Sequence, residues 1–143
     1  MANTAHDQYL EAEILNADPV KLVGILYRAA GEYIAAARRH LRNSEIRERS
    51  RKITKASEIL NQLMLSLDHA SGGDLSRNLV ELYAYMQTRL IEANTRQIEA
   101  PLAEVERLLV VLSDAWRAAT STPVALPSGA EVSVEYVPLS CTY

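Results

Sequence analysis

Residues 82–94 constrain the fold of this chain most strongly, because their apolar side chains recur with the period of an α-helix. The stripe is formed by Leu82, Met86, Leu90 and Ala93, which share one face of a helix. Such a stripe is typical of a helix in a bundle core. Further apolar residues lie away from it, where a surface helix is usually polar: Val80, Tyr83, Ala84 and Ile91. Because the chain has only 143 residues, we interpret this second apolar side as a face kept for a partner.

An earlier helix begins at Asp18 and Pro19. The aspartate offers a side-chain acceptor at the N-cap, and proline suits the first helical position, so the helix starts there and its apolar period continues to residue 41. Gly24 and Gly31 lie inside this helix, where glycine is unfavourable. We therefore interpret both glycines as points of close approach by another backbone.

Two further helices are predicted, the second and the fourth of the chain, and residues 82–94 belong to the third. The second helix of the chain is capped by Asn43 or Ser44, and its apolar residues are spaced by seven: Ile46, Ile53, Leu60 and Leu67. A break at residues 71–73 precedes the third helix, which Asp74 caps, and Pro101 starts the fourth.

Four amphipathic helices with short connections predict an all-α fold, an antiparallel four-helix bundle over residues 18–119. Residues 1–17 hold a small apolar cluster that is too short to form a stable isolated helix. Residues 120–143 contain proline, serine and threonine, and we expect a mobile tail there. One short strand is permitted within it, because three residues alternate with polar ones: Val132, Val134 and Tyr136.

Composition excludes several classes of protein. The single cysteine, Cys141, rules out an intramolecular disulfide framework and a multi-cysteine metal site. Residues 1–13 lack the basic start and apolar run of a signal peptide. No segment approaches the roughly 20 apolar residues of a membrane helix, so no membrane insertion is expected. We expect a reduced, soluble, cytoplasmic protein.

The sequence contains few groups that could carry chemistry. His6, His40 and His69 are far apart in sequence, and no Glu-x-x-His motif of a di-iron bundle occurs. Glycine-rich phosphate loops, nucleophile elbows and zinc spacings are also absent from the sequence. We therefore predict a binding protein without catalytic residues, cofactor or metal.

Basic residues are concentrated between Arg38 and Lys55, where eight of the fifteen lie. One interpretation is a regulatory bundle that binds nucleic acid through this stretch. However, no aromatic residue lies within it, and Glu45 and Glu48 interrupt it. We favour a solvated end of the bundle and expect no nucleic acid partner.

Apolar residues outside the core stripes favour a groove for a partner. They occur on three helices: Leu65 on the second, Val80 and Ile91 on the third, and Val110 and Val111 on the fourth. Monomers rarely expose large contiguous apolar patches, and an amphipathic helix is the simplest ligand for such a surface. Three tyrosines could act as rigid, half-polar anchors there: Tyr27, Tyr83 and Tyr85.

Four runs of residues, in order and with compatible spacing over roughly residues 9–118, carry a resemblance to a known family. They are Ala17-Asp18-Pro19 with Leu22 and Leu26-Tyr27; Lys55-Ala56-x-x-Ile59-Leu60; Leu82-Tyr83-x-Tyr85-Met86-x-x-Arg89-Leu90-x-x-Ala93-Asn94; and Glu104-Val105-x-x-Leu108-Leu109 before Leu112-x-x-Ala115-Trp116. Each run alone is ordinary helix chemistry. Together they make the chain similar to the FliS flagellar export chaperones.

The resemblance implies a cytoplasmic four-helix bundle that binds the disordered C-terminal segment of flagellin and prevents premature polymerisation. It also implies delivery to the type III export apparatus, through the cytoplasmic domain of the export gate. The groove is then expected at these residues: Leu22, Leu26, Tyr27, Leu65, Val80, Tyr83, Tyr85, Ile91, Val110 and Val111. Residues 1–17 would form a lid over it, and lid or gate contacts are expected at Tyr9, Ile14 and Leu15.

The sequence leaves two matters open. The same fold could hold a different flagellar protein, such as the anti-sigma factor, because groove specificity depends on side-chain geometry. An exposed apolar face also suits a homodimer as well as a cargo, so both a monomer and a homodimer remain compatible with the pattern.

Overall fold

The structure, a computed structural model, describes residues 5–121, apart from the side chains of residues 69–71 and 121. It contains the helices α1 (Ala5–Asn16), α2 (Pro19–Arg42), α3 (Ile46–Leu65), α4 (His69–Arg96) and α5 (Ala100–Ser121). The predicted tail beyond residue 121, with its short strand, lies outside the described residues.

Helices α2 to α5 form a square in which helices consecutive in sequence are antiparallel. α2 packs against α3 and α5, and α4 packs against the same two helices. The antiparallel order is visible where Arg49, early in α3, contacts Asn94, late in α4. The predicted antiparallel four-helix bundle is thereby confirmed, and α1 packs outside it, on α2.

The helix starts agree with the prediction at α2 and differ at α3. The side chain of Asp18 accepts a hydrogen bond from the Lys21 backbone N–H at 2.7 Å, as an N-cap should. The predicted cap of α3 is wrong. Asn43 instead ends α2, with its N–H bonded to the Arg39 carbonyl, and Ser44 follows with a positive φ of 59°. The N–H groups of this turn donate to the last carbonyls of α2. Glu45 then precedes α3, and its side chain makes no capping hydrogen bond.

A kink marks the predicted break before the third helix of the bundle. Gly73 has φ 55° and ψ −128°, a backbone conformation that is unfavourable for residues with a Cβ atom. α4 nevertheless begins at His69, so helical structure lies on both sides of the kink and starts before the predicted Asp74.

The core stripe of α4 differs from the predicted one at a single position. Tyr83 is fully buried with Met86, Leu90 and Ala93, whereas Leu82 is only half-buried. The expectation that Tyr83 lies outside the core is therefore wrong. Leu82 and Tyr83 both share a helical face with Met86, and a leucine is the more usual core residue, so the apolar period alone favours Leu82.

The two glycines of α2 do not mark close approach of a backbone. A Cβ at Gly24 would lie 3.4 Å from Cδ1 of the Trp116 ring, so its near neighbour is a side chain of α5. A Cβ at Gly31 would meet no atom within 4 Å. Gly31 therefore faces open space beside α5.

Candidate functional site

The predicted groove residues divide into three groups by exposure. Leu26, Tyr27 and Tyr83 are buried in the core, and Leu22 and Val80 are half-buried against it. The remaining five are exposed: Leu65, Tyr85, Ile91, Val110 and Val111. In this conformation only the last two groups can contact a partner, and their role in binding remains a prediction.

A groove between α2 and α5 has an apolar floor and a charged rim. The floor includes Gly31, Ala35, Leu109 and Val110. The rim carries both signs of charge: Arg28, Glu32, Glu106, Asp114 and Arg117. Because Gly31 has no side chain, the groove is wide at this point, and the aliphatic floor could receive one face of a helix.

A second, smaller cleft lies between α3 and α4. Its apolar residues are Ile53, Leu90 and Ile91, and its polar residues are Thr54, Ser57, Glu58, Asn94 and Thr95. Ile91 is the exposed one of the three aliphatic residues. The exposed apolar residues are thus spread over separate faces of the bundle.

Tyr85 is held by a polar network between α4 and α5. Its hydroxyl donates to Glu104 at 2.7 Å, and Nε of Arg89 donates to the same carboxylate at 2.6 Å. These two bonds lower the pKa of Glu104, and the bond to Glu104 raises the pKa of Tyr85. The ring of Tyr85, half of it exposed, therefore has a fixed orientation beside α5.

Helix α1 lies against α2 and reaches α3. Asp7 accepts a hydrogen bond from the Tyr33 hydroxyl of α2, and its carboxylate lies 3.9 Å from Nζ of Lys55 on α3. Leu10 is buried and Ile14 is half-buried, while Tyr9 and Leu15 point into solvent. Of the predicted lid or gate residues, Ile14 faces the bundle and the other two are accessible from outside. The contact of Asp7 was not predicted, since an acidic residue near a helix start carries no tertiary signal.

Three of the eight basic residues in the stretch from Arg38 to Lys55 donate hydrogen bonds to another part of the bundle. Arg38 donates to Glu99 and Glu106, each at 2.8 Å, and Arg42 also donates to Glu99. The hydrogen bonds from Arg42 and Arg38 lower the pKa of Glu99. Arg49 is buried and donates to Asn94. These contacts join α2 to α5 and α3 to α4, which weakens the interpretation of residues 38–55 as a surface for phosphates.

Residues 5–121 offer neither a metal site nor a membrane-spanning helix. No group of three or more His, Cys, Asp or Glu residues is placed to hold a metal ion there. None of these helices combines the length and apolar character needed to cross a membrane.

Comparisons with known proteins agree on one family. A family model described as "Flagellar protein FliS" matches residues 1–123. The flagellar secretion chaperone FliSB of Pseudomonas aeruginosa is 37% identical over 107 residues, which are 75% of this chain and 85% of that protein. The flagellar secretion chaperone FliS of Salmonella typhimurium is 34% identical over 109 residues, covering 76% of this chain and 81% of that protein. The Escherichia coli protein of the same name is 30% identical over 115 residues, 80% of this chain and 85% of that protein. With its antiparallel helical bundle and these matches, the chain belongs to the FliS family.

Proposed function

We propose that this chain is an export chaperone that binds the disordered C-terminal segment of flagellin. It would keep flagellin from polymerising prematurely and deliver it to the flagellar type III export apparatus. One observation carries the proposal: the four-helix core is complete, yet Ile91, Val110 and Val111 are each more than half exposed. The names of the relatives, flagellar secretion chaperones, support the cargo.

The two clefts favour a cargo that wraps around the bundle. The α2–α5 groove and the α3–α4 cleft lie between different pairs of helices, so one straight helix cannot fill both. A disordered segment that folds on binding can lay one amphipathic stretch in each, at the cost of ordering its backbone. Tyr85, oriented by Glu104, offers a rigid contact next to α5.

The export gate is the proposed second partner, with Tyr9 as its contact. Tyr9 is about two-thirds exposed and lines an open cleft between α1 and α2, which Lys21 and Ile25 also line. A partner could therefore contact it without displacing core residues. Holding and delivering a cargo requires no catalysis, and we place this activity in the cytoplasm, where flagellin is synthesised and bound before export.

The proposal can be tested by titration calorimetry with the last ~40 residues of the flagellin from the same genome, a length that allows two helices of several turns. We expect one-to-one binding with a negative heat-capacity change, because apolar surface is buried. Ile91→Gln and Val110→Gln should each weaken binding, since each places an amide where an aliphatic contact is expected.

Ile46→Gln is the matched control. Ile46 is also exposed, but it lies at the start of α3 and lines neither cleft. Normal binding by the Ile91 and Val110 variants would show that the groove is misplaced. No binding of flagellin by the intact chain or by a chain without the lid, residues 1–17, would overturn this cargo, and titration with the anti-sigma factor would then test the other flagellar cargo that fits the same fold.

A further inference from the structure

Helix α1 is attached to the bundle by few contacts, and one of them is a charged group in an unusual place. The helix has 12 residues, a length at which an isolated helix is marginal in water. Its buried residues are Leu10 and Asp7, and Asp7 is only 7% exposed. Burying a carboxylate is unfavourable unless hydrogen bonds and an opposite charge compensate for lost water.

Two compensating groups come from the bundle. The Tyr33 hydroxyl on α2 donates to Oδ1 of Asp7, and the Lys55 ammonium on α3 lies 3.9 Å from Oδ2. Lys52, one helical turn before Lys55, places its ammonium 5.8 Å from the centre of the Tyr33 ring. α2 and α3 therefore present a hydrogen-bond donor and positive charge at one point of the surface that α1 covers.

The apolar contacts of α1 follow the carboxylate at fixed helical intervals. Leu10 lies three residues after Asp7 and is buried, and Ile14 lies seven residues after it and is half-buried. These three positions share one face of the helix. Tyr9 and Leu15, which belong to other faces, are exposed. The face of α1 that contacts the bundle thus carries an acidic residue, a leucine three residues after it and an aliphatic residue seven residues after it.

We propose that the Tyr33 and Lys55 side chains form a carboxylate-recognition site, and that α1 fills it as an internal mimic of a partner helix. The partner that replaces α1 would be an amphipathic helix with Asp or Glu three residues before a leucine. This inference rests on the proposed function, since it specifies part of the cargo that the bundle binds. A cargo helix without the acidic residue would bury the Tyr33 hydroxyl without this acceptor, which lowers its affinity.

Two substitutions distinguish the role of α1 as a lid from the role of the site that it covers. Asp7→Asn removes the charge of the mimic and leaves the site intact, so it should loosen α1 and make the site more available to an acidic helix. Tyr33→Phe also loosens α1, but it damages the site. If α1 were only a steric cover, both variants would admit a partner equally well.

The test uses full-length chain carrying Asp7→Asn and a helix-stabilised synthetic peptide that repeats residues 5–16. A second peptide has asparagine in place of the aspartate that corresponds to Asp7. We expect the acidic peptide to bind at least fivefold more tightly than the amide peptide, and Tyr33→Phe in the same chain to remove most of that difference. Hydrogen exchange of residues 5–16 in the chain should rise in both variants, and circular dichroism would show that the bundle remains folded.

Glu13→Gln is the matched control on α1. Glu13 contacts Arg28 of α2 at 3.1 Å, so Glu13→Gln also removes a contact that attaches α1, but it leaves Tyr33 and Lys55 in place and should not change the preference between the peptides. Equal binding of the two peptides, or no binding of either, would overturn the carboxylate site. Discrimination between the peptides by a chain that fails to bind flagellin would overturn the proposed cargo alone.

Discussion

The hydroxyl oxygens of Tyr27 and Tyr83 lie 2.6 Å apart in the interior of the bundle. Tyr27 belongs to α2 and Tyr83 to α4, helices at opposite corners of the square, so this hydrogen bond connects the bundle across its diagonal. Each ring fills apolar space while its polar tip has a partner inside the core. The pair therefore helps to fix the relative position of two helices at opposite corners of the bundle.

Removing one hydroxyl of the pair should destabilise the bundle without unfolding it. Tyr27→Phe and Tyr83→Phe should each lower the free energy of unfolding by about 1 kcal/mol, the usual net value of a buried hydrogen bond. Because both substitutions remove the same bond, the double variant should lose less than the sum of the single ones. Urea denaturation of the three variants measures this coupling, and strictly additive losses would show that the two hydroxyls act independently.

The two glycines of α2 should respond differently to alanine. Gly31→Ala should raise the free energy of unfolding by about 0.5 to 1 kcal/mol, because alanine favours the helix and the new Cβ meets no neighbour. Gly24→Ala gains the same helix propensity but places its Cβ 3.4 Å from the Trp116 ring, so its stabilisation should be smaller. Thermal unfolding of both variants tests this order, which an equal gain at both positions would contradict.

Asn94 should contribute strongly to stability, because it joins α4 to α3. Its side-chain oxygen accepts hydrogen bonds from Nε of the buried Arg49 and from the Ser50 hydroxyl, each at 3.0 Å. Asn94→Ala removes this acceptor from a buried guanidinium, so we expect a loss of about 2 to 3 kcal/mol in stability. Asn94→Asp keeps an acceptor and adds a charge opposite to that of Arg49, so it should lose much less. Denaturant titration would reject this explanation if the aspartate variant were the weaker of the two.

The helical period was sufficient to predict the bundle, and Asp18 was sufficient to predict the start of α2. The Asp18 cap and the apolar periods of four helices reflect local chemistry that any packing must satisfy, and the structure confirms the cap and the four helices, although Ile46 of the predicted heptad is exposed. Which of two adjacent residues enters the core is not a local question. Leu82 and Tyr83 differ by 100° on the helix, and the choice of Tyr83 depends on Tyr27, which is 56 residues away in sequence.

The surface was harder to predict for the same reason. The exposure of Ile91, Val110 and Val111 follows from their offset from the core stripes, and the sequence indicated it. By contrast, the contact of Asp7 with Tyr33 and Lys55 and the pairing of Arg38 with Glu99 each join separate helices. Such contacts depend on the rotation of each helix about its axis. This rotation cannot be inferred from the charge pattern of one segment.

The ion pairs of Glu99 should make the stability of the bundle dependent on acid pH. Hydrogen bonds from Arg42 and Arg38 hold the pKa of Glu99 below its usual value of 4.5 in the folded chain. The unfolded chain therefore binds a proton first as the pH falls, so the stabilisation is present above about pH 4.5 and is lost through the lower folded pKa. Glu99→Gln should lower stability near neutral pH by about 1 kcal/mol, a modest value because the side chain is 31% exposed.

The comparison that decides this prediction is the difference in stability between Glu99→Gln and the unmodified chain as a function of pH. The difference should be largest at neutral pH and should shrink below pH 4.5, because protonated Glu99 is uncharged like glutamine. Glu81→Gln, at an exposed position of α4, serves as the control and should change stability little at any pH. A difference that stays constant down to pH 2 would mean that Glu99 stabilises the bundle by packing and not by its charge.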